Sequence, residues 1–176
     1  MAQLPILEYP DYRLRVASDP VDRFDAELGR HVDDLCETMQ ALGIIGLSAT
    51  QVDIRKRIAV IVPEDHEARH VYVNPRITWR KGMGFVQERC QSVPGVKGNV
   101  MRAMRVGVQA QDRDGTRFEQ VLAGMDAVCI QHEIDHLRGK LFIDRLFVLR
   151  RLMIGFGAVG KARRQWRARE RERRAA

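Results

Sequence analysis

The sequence predicts an α+β domain. Apolar residues recur at helical spacing in two stretches, residues 25–42 and 125–139. β-Branched runs cluster between those stretches, and helices and strands do not alternate as they do around a parallel sheet. The length of 176 residues fits one domain with a full core. A composition of 45% hydrophobic and 30% charged residues excludes a disordered or collagen-like chain.

Leu4 to Val16 reads as an N-terminal arm. Asp25 is placed to cap a helix in which Leu28, Val32, Leu35, Met39 and Leu42 share one face, with Gly43 as its stop. Ile44 to Val52 is small and apolar and reads as a loop entering a buried strand. Arg57 to Val62 and Arg69 to Val73 read as strands, the second ended by Asn74-Pro75. Ile77 to Trp79, Gly84 to Glu88 and Met104 to Gln111 read as further short strands. Asp112 to Gly115 is a turn into a returning strand, Phe118 to Ala123. A second helix carries Met125, Val128, Cys129, His132 and His136, with Gly139 as its C′ residue. Phe147 to Arg174 reads as helical, weakened by Gly155, Gly157 and Gly160.

Charge is concentrated at one end. The chain carries +7, and residues 150–176 hold ten basic side chains against two acidic ones, so the body is close to neutral. An anionic partner is therefore expected at the tail, where Lys161 to Arg174 suits RNA phosphates. The segment Leu146 to Val159 is apolar but shorter than the roughly 18 residues of a membrane span. No transmembrane segment and no signal peptide is expected. Three cysteines, Cys36, Cys90 and Cys129, do not make a disulfide framework and fit a reducing cytosol.

The chemistry is carried by His132-Glu133-Ile134-Asp135-His136. Histidines at i and i+4 share one helix face and can reach one metal ion, with Glu133 beside them to handle a proton of bound water. A surface helix could contain this pattern by chance. The apolar flank Met125, Val128, Cys129 and Ile130 instead marks an internal helix, where two histidines and a carboxylate require a reason. A hydrolytic site needs a third ligand. Phe142 stands where one protease pattern would place a third histidine, and the downstream glutamates Glu170 and Glu172 lie in the basic tail. Cys129 and Cys36 read as core. Cys90 lies at a polar strand end with no packing pattern to explain it, which makes it the candidate ligand.

Three segments occur in order: Gly46-Leu47-Ser48-Ala49-Thr50-Gln51, Glu88-Arg89-Cys90-Gln91-Ser92 and Gln131-His132-Glu133-Ile134-Asp135-His136. Together they resemble the peptide deformylase motifs G-x-G-x-A-A-x-Q, E-G-C-x-S and Q-H-E-x-D-H, over roughly Leu4 to Leu146. The resemblance implies an α+β fold with short mixed or antiparallel sheets around a central metal-binding helix. It divides the chain into a catalytic domain, 1–147, and a basic C-terminal helical extension, 148–176.

By the same resemblance, Cys90, His132 and His136 bind one divalent metal. Fe²⁺ is the native ion it implies, with Zn²⁺, Ni²⁺ or Co²⁺ as substitutes. The implied reaction removes the formyl group from the N-terminal formylmethionine of nascent polypeptides through attack of metal-bound hydroxide. Glu133 is the implied general acid/base, and the Gln51 amide and the Gln91 backbone N–H the implied oxyanion donors. Ile45, Gly46, Val86, Glu88, Met125, Val128 and Cys129 match the substrate pocket. Arg102 matches an arginine at the cleft mouth that meets the peptide. A bacterial-type cytoplasmic enzyme working beside the ribosome or its rRNA is implied.

Four positions depart from the motifs: Ile44 and Arg89 replace glycines, Ser48 an alanine and Gln91 a leucine. In the family, the backbone of the first motif pairs with the bound peptide like an extra strand. Ile44 and Arg89 favour an alternative, a related hydrolase of a different formyl amide. Two further readings are a non-catalytic, metal-stabilised ribosome- or RNA-binding protein and a conventional zinc endopeptidase. The intact Glu133 argues against the first, and the lack of a downstream ligand against the second.

Overall fold

A computed structural model describes residues 3–63, 69–146, 152–155 and 157. The arm contains a short 3₁₀ helix, Tyr12–Arg15. Helix α1 follows, Ala26–Leu42. Strand β1 is Gly46–Ser48, leading into a 3₁₀ turn over Ala49–Val52, then β2, Ile58–Ile61. Two long strands, β3 (His70–Arg89) and β4 (Lys97–Gln111), precede β5 (Arg117–Ala123) and helix α2 (Gly124–Leu137). A last 3₁₀ turn is Phe142–Arg145.

Local chemistry fixes both helices. Asp25 accepts the N–H groups of Glu27 and Leu28 at 2.9 and 3.2 Å, satisfying two of the first-turn donors. Gly43, in the left-handed region at φ 61°, closes α1. Leu28, Val32, Leu35 and Met39 are buried as their spacing predicts, while Leu42 is half-buried at the helix end. Helix α2 ends in a Schellman arrangement: Gly139 N–H reaches His136 O at 2.9 Å and Lys140 N–H reaches Asp135 O at 2.9 Å. Gly139 sits at φ 69°, and a Cβ there would collide with the Arg15 carbonyl.

The strands join in one antiparallel sheet with the order β1-β2-β3-β4-β5. The α+β class is as expected, with one antiparallel sheet in place of short mixed or antiparallel sheets. The expected strand end at Asn74-Pro75 is corrected. Asn74 adopts φ 53°, and the register of β3 against β4 shifts between Val73 and Arg76. The strand therefore continues through a bulge. The Asn74 side chain secures it by bonding both backbone groups of Val21 at 2.9 Å. Before the bulge β3 pairs with β2; beyond it β3 pairs with β4 alone. That frees one side of its far end, Gln87 to Arg89.

Strand β2 is buried on both faces. Ala59 and Ile61 pack with Ile130, Ile134 and Leu137 of α2, whereas Ile58 and Val60 pack with Leu28, Leu35 and Met39 of α1. The period-two alternation of a strand thus sends its side chains into two cores. A third cluster joins Leu7 and Leu14 of the arm to Val93, Val100 and Phe142. Residues 152–155 are helical, and Ile154 packs against that cluster. The expected basic helix from Lys161 to Arg174 lies outside the described residues. Among the described residues, no helix is long and apolar enough to cross a membrane.

Leu35 is fully buried. Leu35→Ala is expected to cost about 2–5 kcal/mol of stability, read as a lower denaturant midpoint at unchanged m value.

Candidate active site

Helix α2 is buried nearly all round, which brings polar residues into the interior: Gln131, Glu133, Asp135 and His136 are all buried. Gln131 and Asp135 are held by hydrogen bonds and ion pairs to neighbouring elements. Gln131 donates its Nε2 to the carbonyls of Ala103 and Ala127 and accepts the Ala103 N–H on Oε1, stitching α2 to β4. Asp135 is held by two arginines. Arg102 donates Nη1 to Oδ2 at 2.5 Å, and Arg145 donates Nε and Nη2 at 2.7 and 2.8 Å.

His132 and His136 converge on Cys90, which stands just past the end of β3. His136 Nε2 lies 3.2 Å from both Cys90 Sγ and His132 Nε2, and all three donor atoms lie within 4.8 Å of one another. The ring of His132 is oriented from behind, with Nδ1 2.8 Å from Glu88 Oε2. A carboxylate can only accept, so Nδ1 carries the hydrogen and Nε2 is the atom that faces His136; burial works against protonation of this imidazole, but Cys90 and Glu88 outweigh it and hold it well above its ordinary value. Glu88 is held in turn by Arg102, through Nε at 2.6 Å and Nη2 at 3.0 Å.

This cluster fits a metal. Two imidazole nitrogens and a sulfur come together, and the two 3.2 Å separations from His136 Nε2 are close to the roughly 3.3 Å edge of a tetrahedron with metal–nitrogen bonds of about 2.0–2.1 Å. The electrostatics agree. Burial opposes ionisation of Cys90, but His136 and His132 outweigh it and hold the thiol well below its ordinary value. Burial pushes the Cys129 thiol well up, reinforced by Glu133. Cys90 is therefore the thiolate ligand chemistry requires, and Cys129 is a neutral wall.

Glu133 is buried beside the ligands, and its Oε2 has no hydrogen-bond partner among the described residues. Burial raises its carboxyl above the ordinary value, against the lowering effect of His132 and His136. Gly46 makes the room it occupies: a Cβ there would lie 2.6 Å from Cys129 Sγ and 2.7 Å from Glu133 Oε1.

Gln51 sits on the 3₁₀ turn after β1. Its Oε1 accepts both the N–H and the hydroxyl of Ser48, at 3.0 and 2.9 Å. A backbone N–H can only donate, so the amide orientation is fixed and Nε2 faces Ser92 Oγ at 3.2 Å and Cys90 Sγ at 3.6 Å. The Gln91 side chain is exposed, and its backbone N–H donates to no described group.

A cleft of about 780 Å³ opens over these residues. Ile45, Gly46, Gln51, Glu88, Cys90, Gln91, Met125, Val128, Cys129, His132 and Glu133 all line it. Two expected pocket residues do not. Val86 is half-buried, two residues from Glu88 on the same face of β3, and lies outside the lining. Arg102 is not at the cleft mouth: it is 1% exposed, and its guanidinium is spent on Glu88 and Asp135. Glu88 likewise orients His132. The positioning work of Ser48, Ser92, Arg102 and Arg145 went unread, because their partners are remote in sequence or supply no motif.

Glu88→Gln is expected to weaken metal binding about 10–100-fold, measured by titration with Co²⁺ and its thiolate absorption. The same variant should change the acid limb of stability. The carboxyl of Glu88 is buried and is held at about 2, against an ordinary 4.5, by His132 and Arg102. Its contribution is present above pH 4.5 and lost as pH falls through about 2, so Glu88→Gln should flatten that part of an acid-unfolding curve.

Comparison with known proteins agrees with this geometry. Residues 3–151 match the family model described as polypeptide deformylase. A peptide deformylase of Chromobacterium violaceum is 49% identical over 147 residues, covering 83% of this chain and 88% of that protein. One of Hahella chejuensis is 49% identical over 156 residues, covering 88% and 93%. The crystal structure of a peptide deformylase from Legionella pneumophila superposes with a TM-score of 0.85 at 40% identity, covering 94% of this chain and 98% of that one. That of Ehrlichia chaffeensis in complex with actinonin gives 0.85 at 36%, covering 92% and 98%. The convergent thiolate and imidazoles, the buried Glu133 and these likenesses agree: the chain belongs to the peptide deformylase family.

Proposed function

We propose that this chain hydrolyses the formyl amide of N-terminal formylmethionine on nascent polypeptides, yielding formate and a free amine. The observation that carries the reading is Glu133, buried with an unpartnered Oε2 beside Cys90, His132 and His136. Those three residues would hold one divalent ion, Fe²⁺ by family resemblance, with Zn²⁺, Ni²⁺ or Co²⁺ as substitutes. Such an ion supplies acidification of water and polarisation of the formyl oxygen.

The chain's own groups perform the rest. Ile45, Met125, Val128 and Cys129 form an apolar wall for the methionine side chain. Glu133 takes the proton of the water that adds to the formyl carbon. Its raised carboxyl is suited to returning that proton to the departing amine as the C–N bond breaks. Gln51 Nε2 and the Gln91 N–H are the donors for the oxygen on which negative charge develops. The pre-set orientation of Gln51 means that no reorganisation is needed when it does.

The basic extension, 148–176, completes the proposal. Its arginines suit the phosphates of ribosomal RNA, which would place the enzyme in the cytoplasm where nascent chains emerge.

The test is formate release from a formyl-Met peptide by protein purified without oxygen and loaded with Fe²⁺ or Co²⁺. Glu133→Gln should lower kcat by about 10²–10⁴ and Gln51→Ala by about 10²–10³. Activity retained in Glu133→Gln would refute the assigned role. Ribosome co-sedimentation, with loss of binding between 50 and 200 mM salt, tests the extension.

A further inference from the structure

Arg89 stands one residue before the ligand Cys90, at the end of β3, exposed and lining the cleft. It makes no ion pair or side-chain hydrogen bond with any described residue. Directly across the ladder is Lys97, which lines the same cleft. The acidic residues lining the cleft do not pair with Arg89. Glu88 is buried and bound to Arg102 and His132, and Glu133 is buried beside the ligands. The rim is therefore cationic.

The backbone leaves unpaired strand edges beside Arg89. Strand β1 is the outer strand of the sheet, so its side away from β2 is unpaired. The far end of β3 is paired only with β4. Both free edges border the cleft, through Ile45 and Gly46 on one side and Gln87 and Arg89 on the other. An extended chain whose methionine enters the apolar wall must leave along these edges, beside Arg89.

We propose that Arg89 is a specificity residue that selects formylated peptides carrying Asp or Glu at the first or second residue after formylmethionine. The inference rests on the deformylase reading above. Its interaction is an exposed ion pair, so the expected preference is modest, about 3–5-fold in kcat/KM for an acidic over a neutral residue, with lysine worse than either.

The experiment compares formyl-Met-Ala-Ala, formyl-Met-Asp-Ala, formyl-Met-Ala-Asp and formyl-Met-Lys-Ala on the metal-loaded full chain. The acidic preference should reside in KM and shrink toward 1 in 1 M salt. Arg89→Ala should abolish most of it, and Arg89→Glu should invert it toward lysine. Formate release with equal kcat/KM on all four peptides overturns the inference while leaving the deformylase reading intact. A preference that survives Arg89→Glu overturns it as well. Release of formate from none of the peptides overturns the underlying reading, and this inference with it.

Discussion

The structure depends on one buried guanidinium. Arg102 enters the interior from β4, binds Glu88 on β3 and Asp135 on α2, and is 1% exposed. Burying a lone arginine would be prohibitive, and two carboxylates with three donated hydrogen bonds offset that cost. Such a cluster adds little net stability over a well-packed apolar alternative. What it adds is position. Through Glu88 it sets the tautomer and ring orientation of His132, and through Asp135 it fixes the helix that carries both histidines. The two histidines are thereby tied to two strands as well as to their own helix.

The same low-dielectric surroundings separate two cysteines that look alike in composition. Cys90 meets two imidazoles, which overcome the cost of burying a thiolate. Cys129 meets Glu133, which adds to that cost. Its sulfur lies 3.8 Å from the Ile45 carbonyl and lines the apolar side of the cleft. One helix thus carries His132 and His136 toward Cys90 and lines the cleft with Met125, Val128 and Cys129.

Features written locally were legible in the sequence. The Asp25 cap, the apolar face of α1, Gly43, Gly139 and the His132–His136 pair each depend on neighbours within about one helical turn. Features that depend on distant partners were not. Asn74-Pro75 carries ordinary terminator chemistry, yet the Asn74 side chain finds Val21 and Gln111 and turns the break into a bulge. The strand then runs on over 20 residues in total. Arg102 reads as a solvated strand-end charge until its partners, 14 and 33 residues away, are placed beside it. Val86 was assigned by analogy alone, and no periodicity in the chain could have tested it.

The four departures from the family motifs are physically unequal. Ile44 lines the cleft but is half-buried and packs against the core around α1, so its bulk has a place to go. Ser48 is fully buried and spends its hydroxyl on Gln51, adding a second fixed donor behind the amide. Gln91 has an exposed side chain, and its backbone N–H, which donates to no described group, is the same whatever side chain it carries. Arg89 alone projects a charge with no partner among the described residues into the open cleft. Change at the first three positions is absorbed by packing or by backbone chemistry, and the arrangement of Cys90, His132, His136 and Glu133 is undisturbed. Only at Arg89 does the departure reach what the cleft can recognise, because a charge at its rim acts on the incoming peptide without entering the metal cluster.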